Sequence, residues 1–153
     1  FKKLIGKGFN AKSNHYGYAQ TSTGPGHSTV ATGTYPRFHG IIGNSWFDKK
    51  SKKSIYCVDD DNYNTVGSST IRGKKSPVNL LTSTLSDENR IATNFKGKTI
   101  GVAIKDRGSI LSSGHTANAA YWFDSEEGSF ITSTFYVDEL PSWAKEFNDS
   151  IIA

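Results

Sequence analysis

The stretch T-I-G-V-A-I (99–104) constrains the fold more than any other part of the chain. It is as long as a strand and carries no charge, whereas a strand with one wetted face alternates polar and apolar residues. A continuous apolar run of this length is expected of a parallel strand buried on both faces. It runs straight into K-D-R-G, so charged groups fall where the strand ends. Helical and strand-like stretches alternate over the first two thirds of the chain, and the predicted class is α/β.

The other segments are assigned around that strand. F-K-K-L-I-G-K-G (1–8) reads as the last turns of a helix stopped by glycine, and 9–19 as an extended segment. T-S-T-G-P-G (21–26) reads as a turn, followed by a short helix at H-S-T-V-A-T (27–32) that Gly33 ends. Residues 35–48 are rich in turn formers and aromatic side chains and read as an ordered loop. S-I-Y-C-V (54–58) is strand-like, and 62–75 is loop. Residues 76–95 open with Ser-Pro and place Val78, Leu81, Leu85 and Ile91 near one face, which predicts a helix. A-A-Y-W-F-D (119–124) and S-F-I-T-S-T-F-Y-V (129–137) predict a hairpin around E-E-G, and 140–150 a final helix.

At 153 residues the chain has the length of one domain. Its 15 Gly and 4 Pro indicate many turns, while 12% aromatic residues argue against disorder. The net charge of +4 comes largely from Lys2-Lys3, Lys49-Lys50 with Lys52-Lys53, and Arg72 with Lys74-Lys75. No aromatic-basic RNA signature or recognition helix accompanies these clusters, so they read as solvated loop surface and no nucleic-acid partner is expected. Asp59-Asp60-Asp61 reads as a solvated turn rather than a cation loop, and His15, His27, His39 and His115 as structural hydrogen-bonders. The single Cys57 rules out an internal disulfide and reads as a buried small hydrophobe. No stretch approaches the ~18 apolar residues of a membrane span.

Three segments place polar groups where an α/β fold builds a site. Thr23 precedes Gly24-Pro25-Gly26 and a helix; it is either a helix cap or a nucleophile beside an anion held at the helix N-terminus. Asn44 follows a glycine; its amide either makes a tight turn or donates to a phosphoryl oxygen. Lys105 and Arg107 flank Asp106 at the end of the apolar run. They form either a surface salt-bridge cluster or a pair of cations aimed from the strand end at a dianion.

Read together, T-G-P-G-H-S-T-V-A-T-G-T-Y-P-R-F-H-G-I-I-G-N-S-W-F-D resembles the nucleophile region of the alkaline phosphatase superfamily, in the branch of type I nucleotide pyrophosphatase/phosphodiesterases and threonine-nucleophile alkaline phosphatases. Thr23, His27, Thr32-Gly33, His39-Gly40-Ile41 and Asn44 match in order, and G-V-A-I-K-D-R-G-S-I-L-S-S-G-H (101–115) is similar to the monoesterase members. The resemblance implies a three-layer fold with a largely parallel central sheet and a β-hairpin insertion. It also implies phosphate monoester hydrolysis by two zinc ions and a Thr23 nucleophile that forms a phosphothreonine. Asn44, Lys105 and Arg107 would bind the phosphoryl oxygens. The alternatives are a diesterase or nucleotide pyrophosphatase of the same superfamily, or a non-catalytic phosphate- or glycan-binding module. Only Thr23 matches a metal-contacting position. Residues 1–153 are therefore expected to be the nucleophile-bearing portion of one catalytic domain, incomplete at both ends, unable to hold zinc alone and inactive in isolation. The implied substrate is a small phosphate monoester, and the implied location is periplasmic or secreted.

Overall fold

A computed structural model describes residues 1–152. α1 (Lys2–Lys7) ends at Gly8 as expected and buries no residue. Residues 9–22 form no strand; Asn10, Lys12, Ser13, Asn14 and Gly17 interrupt any apolar alternation that a sheet would bury. α2 (Thr23–Thr32) starts four residues earlier than expected. Gly24, Pro25 and Gly26 lie inside its first turn, where proline lacks only an N–H that has no helical partner. A side chain on Gly24 would come within 3.2 Å of the Gly43 carbonyl, so glycine lets the helix start approach that loop. Gly33, left-handed at φ 68°, stops the helix.

The 35–48 segment holds two regular elements rather than a loop alone. Pro36 presets the first turn of α3 (Pro36–His39), which Gly40 ends at φ 82°. β1 (Ser45–Asp48) then pairs antiparallel with β2 (Lys53–Tyr56), Trp46 opposite Ile55. Lys49, Lys50, Lys52 and Lys53 sit exposed around the tip of this hairpin.

β3 (Thr65–Val66), β4 (Ile100–Ala103), β5 (Ala119–Asp124) and β6 (Ser129–Ser133) form a second sheet in the order β3-β6-β5-β4. β4 and β5 are parallel, joined by α5 (Asp106–Ser113), whereas β5–β6 and β3–β6 are antiparallel. The α/β class holds, with a mixed sheet among the described residues. α5 covers one face and carries α2 on its outer side; α6 (Ser142–Ile152) covers the other, stacking Trp143 on Tyr121 and Phe147 on Phe130. The core lies beneath α5, where Ile110 and Leu111 meet Ile41, Cys57, Val58, Leu80, Ala120, Trp122 and Ile131. β5, not β4, is the strand buried on both faces. β4 is an edge strand whose Gly101 and Ala103 face α5, while Ile100 and Val102 are 56% and 62% exposed. The apolar run is parallel as expected, but one of its two apolar faces has no neighbour among the described residues.

The long helix expected from Ser76 is absent. α4 spans only Leu85–Ala92, and Val78, Leu81, Leu85 and Ile91 are all exposed. Ser76 instead donates to the buried Asp60 at 2.5 Å and accepts from the Val78 N–H, which commits 76–80 to a turn. The acidic run is therefore partly structural, since Asp59 also ion-pairs with Lys75, whose side chain is only 13% exposed. The helix start that forms is Thr84-x-x-Asp87, a reciprocal capping box.

Asp87 is buried and accepts from the Thr84 and Thr116 N–H groups at 2.9 and 2.8 Å and from the Thr116 hydroxyl. Burial alone would raise its carboxyl pKa, but the His115 imidazole 3.6 Å away and the Thr84 and Thr116 hydrogen bonds hold it well below the usual carboxylate range. Asp87→Ala is expected to cost about 3 kcal/mol of stability at pH 7, because it strands buried donors. A carboxyl lowered by folding stabilises above its unfolded pKa near 4 and loses that contribution as pH falls. The gap between wild type and Asp87→Ala should therefore narrow below about pH 4, which urea denaturation across pH 2–7 checks.

Candidate active site

The Thr23 question turns on where α2 begins. Ser22 is the N-cap residue, and it makes no side-chain capping bond. Thr23 is the first helical residue, half-buried, so it does not cap the helix. Its carbonyl accepts from His27 Nδ1 at 2.9 Å, while its hydroxyl has no hydrogen-bond partner among the described residues. Beside it the Gly24 N–H donates to Asn44 Oδ1 at 2.7 Å. That bond fixes the Asn44 oxygen toward the helix and turns its NH₂ group, with two donors, the other way. The Asn44 carbonyl is held too, accepting from the Cys57 N–H at 3.0 Å. The structure thus brings Thr23 and Asn44 together.

Lys105 and Arg107 do not leave a strand end in the expected manner. β4 stops at Ala103; Lys105 is the N-cap of α5 and Arg107 lies in its first turn. Asp106 between them suits a helix start, where a carboxylate meets the positive end of the dipole. Both cations line one cavity of about 560 Å³, with Tyr56, Lys75 and Trp122. Asp106 ion-pairs with neither. It accepts from the Tyr56 hydroxyl at 2.8 and 3.0 Å and from the Arg107 N–H at 2.7 Å, and faces Lys75 at 3.9 Å. Among the described residues neither Lys105 nor Arg107 ion-pairs with a carboxylate. Arg107 Nη1 donates to the Tyr56 oxygen, and its buried Nε has no partner.

The two pairs are linked indirectly through Tyr56 and Cys57 at the end of β2. Cys57 Sγ lies 3.3 Å from where a Gly24 side chain would begin, and Tyr56 next to it holds Arg107. A side chain on Gly108 in α5 would in turn meet His27 of α2 at 3.4 Å. Thr23 nevertheless opens onto a different cavity, about 580 Å³, with Tyr16, His27, Leu85 and Ser112. Cys57 is fully buried, as expected, and burial pushes its thiol up to about 12, so it stays protonated and is no nucleophile. His39 is also structural: it is buried, meets the Thr29 hydroxyl at 3.2 Å and accepts from the Ile41 N–H. Burial lowers its pKa.

A zinc ion takes about four ligands. Among the described residues no group of three His, Cys, Asp or Glu side chains is placed to hold one, and Thr23 offers a single hydroxyl. These residues do not by themselves fit a zinc site. Sequence reading missed Tyr56 as the group that holds the Arg107 guanidinium. No local signal marks it, because the two stand 51 positions apart.

A family model described as type I phosphodiesterase / nucleotide pyrophosphatase matches residues 1–151, and the chain belongs to that family. It is 53% identical over 148 residues to alkaline phosphatase PhoV of Synechococcus elongatus, covering 97% of this chain and 27% of PhoV. A protein of Myroides odoratus named calcium-transporting ATPase is 47% identical over the same share of each. The crystal structure of wild-type alkaline phosphatase PafA superposes with a TM-score of 0.95 at 43% identity, over 99% of this chain and 29% of PafA. A second PafA structure, TM-score 0.88 and 42% identity over 90% of this chain and 27% of that one, is a variant with one threonine changed to serine and an asparagine, a lysine and an arginine changed to alanine. The chain thus spans little more than a quarter of the length of these relatives.

Proposed function

We propose that residues 1–153 are the nucleophile-bearing portion of one alkaline-phosphatase-like catalytic domain in a longer enzyme that hydrolyses small phosphate monoesters. The observation that carries this reading is the pair of cations without a carboxylate partner, Lys105 and Arg107, lining one cavity, in a chain that also brings Thr23 and Asn44 together at a helix start. The quartet substituted in the PafA variant has the same residue types. Its threonine–asparagine and lysine–arginine separations also match those of Thr23–Asn44 and Lys105–Arg107. Two cations lining one cavity favour an anion over the calcium named for the Myroides relative.

Thr23 Oγ attacks phosphorus, the bond to the leaving alkoxide breaks, and a phosphothreonine forms; water then cleaves it and restores the hydroxyl. Asn44 donates its NH₂ to one non-bridging oxygen, and Lys105 and Arg107 hold the other two, where charge is greatest on a monoester dianion. Two zinc ions belong to the proposal: Thr23 would be the one ligand these residues supply, the longer protein would supply the others, and the metal would lend Lewis acidity at the nucleophile and the leaving oxygen. The isolated chain is inactive on this reading, and the enzyme works in the periplasm or outside the cell. No described helix is long and apolar enough to cross a membrane.

The diesterase reading draws on the name of the matching family. With zinc at alkaline pH, the full-length enzyme is expected to favour p-nitrophenyl phosphate over bis-p-nitrophenyl phosphate by at least ~100-fold in kcat/KM, since a diester lacks the oxygen that the second cation meets. A diester preference would establish the diesterase reading instead.

A further inference from the structure

We propose that Tyr56 is the positioning residue for Arg107: its phenol oxygen fixes the guanidinium in the orientation that meets a phosphoryl oxygen. The inference rests on the phosphatase reading of the site and adds to it a residue that acts through Arg107. A phenol has one proton and two acceptor sites. The Tyr56 proton goes to Asp106, whose two carboxylate oxygens lie 2.8 and 3.0 Å away and only accept. The lone pairs of the phenol are left to Arg107, whose Nη1–H donates into them. Burial, and then the Asp106 charge, push the phenol pKa well above its ordinary value against the opposing pull of Arg107. The hydroxyl therefore keeps its proton, and the arrangement its polarity, at alkaline pH.

The ring is fixed as well. The Arg107 guanidinium and the Lys75 ammonium lie 5.1 and 4.9 Å from its centroid, a cation–π contact for each. Lys75 is tied in turn to Asp59 and faces Asp106. The Tyr56 oxygen is the one hydrogen-bond partner of the Arg107 guanidinium among the described residues. Without it the guanidinium regains the rotamer freedom of a long side chain, and a misplacement of an ångström is costly in transition-state binding.

The test is a double-mutant cycle in the full-length enzyme. Tyr56→Phe keeps the ring and its packing. It is expected to lower kcat/KM for p-nitrophenyl phosphate roughly tenfold, leave bis-p-nitrophenyl phosphate within about twofold, and weaken inhibition by inorganic phosphate about as much as it lowers the monoester rate. Added to Arg107→Ala, it should cost nothing further. Asp106→Asn, which keeps the phenol and one acceptor oxygen but replaces the other with a donor and removes the charge, should give a smaller loss that also vanishes beside Arg107→Ala. Equal losses on both esters, or a tenfold loss that persists without Arg107, would overturn the proposal by showing a structural role. If the wild-type enzyme prefers the diester, the phosphatase reading fails. Phosphate inhibition then decides on Tyr56 by itself: weakening confined to proteins that retain Arg107 supports the positioning role, and unchanged inhibition refutes it.

Discussion

Thr23→Ala in the full-length enzyme is expected to lower monoester turnover by a factor on the order of 10⁴ or more, because loss of a nucleophile removes the covalent route and not one contact among several. The same change is expected to leave stability nearly unaltered. Thr23 occupies the first position of α2, its hydroxyl has no hydrogen-bond partner among the described residues, and Ser22 remains the N-cap. Alanine is also the better helix former, by a few tenths of a kcal/mol. A cap would behave in the opposite way, costing about 1 kcal/mol of stability with little effect on chemistry. The two readings of Thr23 are thus separated by measuring kcat and melting temperature on the same protein. Thr23→Ser, which keeps an attacking oxygen, should recover activity to within roughly tenfold of wild type. Acid-quenched wild-type enzyme turning over ³²P-labelled substrate should carry label on Thr23. A Thr23→Ala enzyme with more than a tenth of wild-type turnover would exclude this nucleophile.

Legibility in the sequence followed the range of the interactions involved. Gly33 and Gly128 announce a helix stop and a hairpin turn through their own backbone freedom, and both do this at φ near 70°. The hairpin of β5 and β6 was readable because its register is set by a short connection. The helix expected from Ser76 failed because two local signals competed. Ser-Pro signals a cap, yet the Ser76 hydroxyl is claimed by Asp60, 16 positions away, while Thr84-x-x-Asp87 is also tied to Thr116. The apolar run of β4 was read correctly as a parallel strand, but sequence alone does not say which covering elements lie near enough to bury it.

The site shows the same division. Thr23, Asn44, Lys105 and Arg107 stood out by residue type beside glycines or an apolar run. What holds them did not, since Gly24 reaches Asn44 across 20 positions and Tyr56 reaches Asp106 across 50. The sequence places Lys105 and Arg107 at a strand end, whereas α5 begins at Asp106 and puts Arg107 in a helical turn.

That helical placement shapes the second large effect. Replacing Lys105 and Arg107 together by Ala is expected to lower kcat/KM for monoesters by about 10³ and for diesters by less than tenfold. Each charge-assisted hydrogen bond contributes about 1.5–3 kcal/mol, and each 1.36 kcal/mol is a factor of ten in rate. The singles should be unequal. Arg107 is half-buried and held by Tyr56, so its charge is weakly screened and its donors are in place before substrate arrives. Lys105 is exposed and has no ion-pair partner among the described residues, so it must give up more freedom to bind. Arg107→Ala should therefore account for most of the loss. Arg107→Lys should recover only part of it, since an ammonium lacks both the planar fork and the reach to Tyr56. Raising ionic strength should diminish what Lys105 contributes more than what Arg107 contributes. Equal losses on monoester and diester would mean that these cations bind phosphate without discriminating its charge, and the preference for monoesters would then have to arise elsewhere in the longer enzyme.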